Sequence, residues 1–217
     1  MPRYKAVIFD LDGTLLDTLD DLTAACNHAL SVHGFPTHTR EEVKGFVGNG
    51  IRLLMGRALP EGREDALPSA LAEFKAYYAA HNAVYTAPYP GIPELLTRLK
   101  AAGKKLVVAT SKPEDFSLRI LEHFELLQYF DFVSGACMDE TRTQKWEVIR
   151  WAQEQFCHPG DRVLMVGDRK HDVEGARRCG LPCLGVLYGY GGRAELENAG
   201  AIGFAASPEE IGHYILN

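Results

Sequence analysis

The stretch "YKAVIFDLDGTLLDT", Tyr4 to Thr18, decides how the rest of the chain is read. Residues 4–10 predict a buried strand, because Ala6, Val7, Ile8 and Phe9 form a continuous apolar run containing β-branched side chains. The run ends on Asp10 and Asp12, with only Leu11 between them. In an extended segment residues i and i+2 point the same way. Two carboxylates placed so close repel each other unless something offsets their charge, and a cation is the simplest partner.

Working outward, short apolar runs alternate with helical patterns, which predicts a parallel sheet covered on both faces. Strands are expected at 4–10, 104–110, 130–135, 162–166 and 183–187, and helices at 92–102, 113–124, 144–156 and 170–179. The punctuation agrees: Gly103 follows one helix, Pro113 is expected at a first helical position, and Gly180 closes another helix. From Leu19 to Val84 no strand is expected, only helical spacing such as Leu22, Cys26, Leu30 and Leu53, Leu54, Ala58. The fold class is therefore α/β, a Rossmann-like parallel sheet with an inserted all-helical cap subdomain. The expected boundaries are 1–16 and 88–217 for the core and 17–87 for the cap. The Pro-rich return "APYPG" (Ala87 to Gly91) is expected to form one arm of a hinge, and 16–18 the other.

Composition narrows the function. The chain has 217 residues, 46% hydrophobic and 24% charged, with a formal net charge of −6 and no basic block. That balance argues against a nucleic-acid or anionic-membrane surface. The apolar run near the N-terminus is too short for a signal peptide, and no window approaches a membrane span. Cys26, Cys137, Cys157, Cys179 and Cys183 are odd in number and scattered, as expected of a reducing, cytoplasmic setting. "CGLPC" (Cys179 to Cys183) lacks the two further ligands a metal site needs and is expected to flank a turn. No segment of the sequence specifies an oligomeric state.

Ligands of open α/β sheets bind at the carboxyl ends of the strands. There the chain places Asp10 and Asp12, then Thr110 and Ser111 in "VVATSK", Lys145 at a helix start, and Asp168 with Asp172 one helical turn on in "VGDRKHD". Several carboxylates around a small hard cation make a Mg²⁺ site. A hydroxyl, backbone N–H groups and an ammonium beside it suit phosphoryl oxygens. An aspartate at the metal is then a plausible nucleophile, and a second acid manages protons.

Taken in order, "FDLDGTLLDT", "VVATSK", Lys145 and "VGDRKHD" resemble the haloacid dehalogenase superfamily of phosphohydrolases across nearly the whole chain. Within it, "FVGNGIRLLMGRAL" (Phe46 to Leu59) and "GVLYGYG" (Gly185 to Gly191) are similar to the phosphoglycolate-phosphatase-like group with a helical cap. The resemblance implies that Asp10 attacks phosphorus and forms an aspartyl-phosphate, while Asp12 is general acid and then base. It implies Mg²⁺ among the Asp10 carboxylate, the Asp12 backbone carbonyl and Asp168, with Asp172 supporting metal waters or holding Lys145. Thr110, the Ser111 N–H and Lys145 would grip the phosphoryl oxygens. Related enzymes commonly carry proline after the motif lysine, whereas Trp146 follows Lys145 here, so Arg142 and Lys112 remain alternatives for that role.

Other readings compete. Asp172 also suits a helix cap, Thr110 and Ser111 suit capping of the next helix, and Lys145 suits a solvated helix face. "GYGGRA" (Gly189 to Ala194) fits the start of a dinucleotide fingerprint, but too little chain follows for the βαβ unit, and a flexible loop at the site's rim is expected instead. His171 and His123 are expected at the surface. A signalling receiver domain shares the acidic pair, hydroxyl and lysine, but needs neither the helical insertion nor the late acidic motif. The expected function is Mg²⁺-dependent hydrolysis of a small phosphorylated metabolite such as phosphoglycolate, a nucleoside monophosphate, a sugar phosphate or pyrophosphate. A phosphomutase is the nearest alternative. Specificity is expected in 45–52, where Asn49 offers donors and an acceptor and Arg52 suits a carboxylate or second phosphate, unless this is only a loop with Arg52 solvated.

Overall fold

The structure, a computed structural model, describes residues 4–137, 141–158 and 160–217. Its first half runs β1 (Ala6–Phe9), β2 (Leu16–Asp17), α1 (Leu19–Val32), α2 (Arg40–Phe46), α3 (Ile51–Ala58), α4 (Leu67–His81), β3 (Ala87–Pro88) and α5 (Ile92–Ala101). There follow β4 (Lys105–Pro113), α6 (Glu114–His123), β5 (Phe132–Ala136), α7 (Lys145–Phe156), β6 (Val163–Gly167) and α8 (Lys170–Arg178). The chain closes with β7 (Cys183–Val186), α9 (Arg193–Ala199), β8 (Gly203–Ala205) and α10 (Pro208–Leu216).

Six strands form one sheet in the order β5-β4-β1-β6-β7-β8, every pairing parallel. Alternation along each strand divides its apolar side chains between two cores. Val7, Phe9, Leu106, Val108, Leu164 and Val166 face α5, α6 and α10. Ala6, Ile8, Val107, Ala109, Val163 and Met165 face α7, α8 and α9. With both faces covered, the strands read as unbroken apolar runs, and for that reason they were visible in the sequence. The inserted helices α1–α4 bury a third core of their own, including Leu30, Met55, Phe74 and Tyr78, which rests on Phe116 and Tyr190.

The sheet order places the site. β1 lies between β4 and β6, so the strand order reverses beside it, and the crevice at such a reversal opens at the carboxyl ends. The chain leaves for the helices through β2 and returns through β3, and these two short strands pair antiparallel, Leu16 with Pro88 and Asp17 with Ala87.

Some expectations are corrected. Pro113 is the last residue of β4 and caps α6 from outside, because the register shift between Ala109 and Pro113 carries the strand past Thr110 to a pairing with Ala136. β8, α9 and α10 were not foreseen. β8 is a half-covered edge strand that starts on glycine and carries no apolar run. The fully buried Ile8 tests this layering: Ile8→Ala should cost about 2–5 kcal/mol in urea unfolding, whereas Ile202→Ala, 49% exposed, should change stability by less than about 0.5 kcal/mol.

Candidate active site

Asp10 leaves β1 and is buried, its Oδ1 accepting the Leu11 N–H at 2.8 Å. Asp168 and Asp172 flank the start of α8 beyond β6, and carboxylate oxygens of these three acids lie within 4.8 Å of one another. Asp172 does two things at once. One oxygen caps α8 by accepting the Arg169 N–H at 3.0 Å, and the other lies 2.8 Å from Lys145 Nζ. Capping and a place in the acidic cluster are thus compatible.

Lys145 is not a solvated helix lysine. Its side chain is 5% exposed, and Nζ sits 2.5 Å from Asp10 Oδ1. Trp146 in place of proline leaves the start of α7 secure, because the Glu147 carboxylate accepts the N–H groups of Thr143 and Gln144, each at 2.8 Å. Of the alternatives, Arg142 bonds Glu114 and the Gly135 carbonyl, each at 2.9 Å. Lys112 pairs instead with Asp12, its Nζ at 2.8 and 2.9 Å from the two oxygens. The structure therefore supplies two buried lysines with different partners.

Asp12 stands apart from the acidic cluster; Thr18 Oγ1 also donates to its Oδ1 at 2.9 Å. Thr110 is buried, its Oγ1 accepting the Lys112 N–H at 3.2 Å. Ser111 Oγ is buried with no hydrogen-bond partner among the described residues, and Ser111 lines the space beside Asp10 and Asp12. Val47, Gly48, Gly50 and Ile51 also line that space, a half-open recess of about 30 Å³. A wider cleft of about 260 Å³ adjoins it, lined by Asn49, Arg52, Lys75, Ser111, Cys137 and Thr143 among others. Asn49 spends its carbonyl oxygen on Arg57 Nη1 at 2.7 Å, which leaves less of its amide for a ligand than its type suggested.

Electrostatics define what the cluster lacks. Burial pushes the Asp10 carboxyl up from 3.8 to about 7, the Asp172 charge adding to the effect and Lys145 opposing it. Burial, Asp172 and Asp10 likewise raise Asp168 well above the ordinary range. Burial alone would lower Lys145, but Asp10 and Asp172 hold it above its usual value. Asp12 does the same for the equally buried Lys112. Of the three buried carboxylates, Asp10 and Asp172 share one ammonium while Asp168 is held by the Thr14 hydroxyl and the Tyr190 N–H, a residual charge that a divalent cation with oxygen ligands fits.

The loop at 188–192 was not foreseen in its role. It is pinned, not flexible. The Tyr190 N–H donates to Asp168 Oδ2 at 2.8 Å, and its hydroxyl accepts the Thr18 N–H at 2.7 Å. Tyr188 donates to the Thr14 carbonyl at 2.9 Å. A Cβ at Gly189 or Gly191 would collide with Asp168 or its neighbours, so these glycines serve close approach and not a dinucleotide. Gly13, at φ +80°, meets the same carboxylate from below. His171 is half-buried and packs against Gly48, contrary to the surface placement expected; His123 is exposed. The cysteines are free, and Cys183 is fully buried in β7.

A parallel sheet with a helical insertion and this strand-end constellation defines a class of hydrolase, and comparison with known proteins places the chain in it. The family described as haloacid dehalogenase-like hydrolase matches residues 7–186, and the chain belongs to it. The phosphoglycolate phosphatase of Vibrio parahaemolyticus is 34% identical over 194 residues, covering 86% of this chain and 85% of that one. A 5'-nucleotidase of Pseudomonas aeruginosa is 35% identical over 195 residues, covering 89% and 87%. Among solved structures, one described as a predicted phosphatase from Clostridium acetobutylicum superposes with a TM-score of 0.90 at 37% identity, covering 98% of both chains.

The charge imbalance has a thermal signature. A carboxyl raised in the folded state keeps its proton longer than in the unfolded chain, so without cation Asp10 and Asp168 make stability fall as pH rises from about 4 towards 7. A divalent cation offsets that loss and needs the acids ionised. At one fixed concentration, a hundredfold above its dissociation constant at pH 8, it should raise Tm by about 5–10 °C at pH 8 and clearly less at pH 5, read by differential scanning calorimetry. Equal shifts at both pH values would exclude this placement.

Proposed function

We propose that this chain is a Mg²⁺-dependent phosphatase that hydrolyses a small phosphomonoester through an aspartyl-phosphate on Asp10. In enzyme class it is a phosphoric monoester hydrolase. The observation that carries the mechanism is the buried triad of Asp10, Asp168 and Asp172 with its single ammonium, set beside Asp12 and the unpartnered Ser111 hydroxyl. Asp10, Asp168 and Asp172, with the Asp12 backbone carbonyl, would hold the cation. Bound there, it would supply charge that favours the ionised Asp10 and offsets the phosphoryl oxygens.

The chain's own groups then divide the work. An Asp10 oxygen attacks phosphorus, and the bond from phosphorus to the leaving oxygen breaks. Asp12 gives that oxygen its proton. Asp12, now a carboxylate, takes a proton from water, whose oxygen attacks the aspartyl-phosphate; inorganic phosphate leaves and Asp10 is restored. Lys145, Thr110 and the Ser111 N–H grip the phosphoryl oxygens. Residues 1–16 and 88–217 form the catalytic core and 17–87 a cap over it, with 1–3, 138–140 and 159 lying outside the described residues. A cytoplasmic setting accords with five free cysteines.

For the substrate we favour a phosphoglycolate-like ester, in keeping with the first of the relatives above. The adjoining cleft brings Arg52 and Lys75 towards the leaving group, cations suited to a carboxylate or other distal anion. The deciding experiment is a panel of phosphomonoesters, including 2-phosphoglycolate, nucleoside monophosphates and p-nitrophenyl phosphate, scored for released phosphate with Mg²⁺ and with chelator. Hydrolysis of none of them with Mg²⁺ would refute the reading.

Asp10→Asn should fold normally and lose more than about a hundredfold in kcat, because an amide cannot serve as the nucleophile. Asp168→Ala should raise the Mg²⁺ needed for half-activation more than it weakens inhibition by phosphate, and Lys145→Ala should do the reverse. Arg52→Ala should lose about tenfold in kcat/KM on the best anionic substrate while sparing p-nitrophenyl phosphate.

A further inference from the structure

We propose that Lys112 is a positioning residue for the proton-transferring Asp12, and not a ligand of the phosphoryl group. The inference rests on the phosphatase reading above and assigns a role to a residue outside that mechanism. Its basis is geometric. Lys112 lies two residues beyond Thr110 near the end of β4, where the register shifts, and its N–H donates to Thr110 Oγ1 at 3.2 Å. Nζ reaches both Asp12 oxygens, at 2.8 and 2.9 Å, and its side chain is 2% exposed. From the other side the Tyr78 ring of α4 covers the ammonium, 4.9 Å from the ring centroid. Lys112 is thus closed in by a carboxylate on one side and an aromatic ring on the other.

Contact with both oxygens constrains the carboxylate more than contact with one. Thr18 Oγ1 holds only Oδ1, at 2.9 Å, and leaves rotation about the terminal bond free. Lys112 fixes the second oxygen and so sets which edge Asp12 presents to a leaving group. A general acid must lie within hydrogen-bond reach of the atom it protonates, and misplacement of an ångström costs orders of magnitude in rate. The second lysine buried at this strand end, Lys145, contacts Asp10 and Asp172, so the two ammonium groups serve different carboxylates.

A residue acting only through Asp12 leaves a specific kinetic trace. The test measures kcat/KM, which reports the steps up to loss of the leaving group, on phenyl phosphate and p-nitrophenyl phosphate with Mg²⁺. The two esters are alike in shape, but phenolate needs a proton far more than p-nitrophenolate does. Lys112→Met should lose at least about tenfold on phenyl phosphate and less than about threefold on p-nitrophenyl phosphate, with inhibition by inorganic phosphate unchanged. In an Asp12→Asn background the same substitution should leave the ratio of the two esters where it was. That double variant also leaves no buried charge unpaired, so it is the fold-safe arm. Should Lys112→Met not fold, Lys112→Arg, which keeps the charge but displaces it, should show the same split in smaller measure. Equal losses on both esters, weaker inhibition by phosphate, or a changed ratio in the Asp12→Asn background would each overturn the proposal. A wild-type protein that hydrolyses neither ester would instead overturn the phosphatase reading itself.

Discussion

Burial of like charge at the carboxyl end of the sheet is the constraint on which the rest of the molecule depends. Asp10, Asp168 and Asp172 are all buried, and their mutual repulsion is met by one ammonium. Concentrating charge in low dielectric is costly unless each group is fixed by hydrogen bonds and counter-charge. Those supports come from far along the chain: Thr14 and the Tyr190 N–H hold Asp168, the start of α8 holds Asp172, and the start of α7 delivers Lys145. The parallel sheet is what lets such distant segments meet. Three neighbouring strands end side by side, and each is followed by a loop or helix start that turns polar groups into the same crevice.

The counterpart is a division of positive charge. Lys145 belongs to Asp10 and Asp172 in the acidic cluster, and Lys112 belongs to Asp12. A single lysine shared among four carboxylates would bind all of them loosely. With two, Asp10 and Asp12 are held independently, and each lies in a different electrostatic setting although only one residue separates them in sequence.

Much of this was legible beforehand, for a local reason. Asp10 with Asp12, Thr110 with Ser111, and Asp168 with Asp172 fall at the ends of apolar runs, and the carboxyl ends of parallel strands gather such residues into one crevice. Lys145 was legible from its place at a helix start. What escaped depends on packing between segments remote in sequence. The pairing of Lys112 with Asp12 spans 100 residues, and that of Tyr190 with Thr18 spans 172. Gly189 and Gly191 read as part of a flexible loop at the rim, and their close approach to Asp168 was visible only once the chain was folded. The edge strand β8 escaped because three half-covered residues beginning with glycine have no period to read.

The paired strands β2 and β3 carry a mechanical consequence. The helical segment departs and returns through two adjacent crossings zipped to each other, Leu16 to Pro88 and Asp17 to Ala87. Two well-separated tethers would fix a body at two points; a single narrow ribbon fixes it at one, and the rest of the hold comes from side-chain contacts such as Arg169 Nη1 on the Val47 carbonyl and the Thr18 N–H on the Tyr190 hydroxyl. The recess over the acids, about 30 Å³, lies between the two bodies and adjoins the cleft of about 260 Å³. Any displacement of the helices relative to the sheet must pass through the ribbon, so its backbone stiffness would bound how far the two can tilt apart.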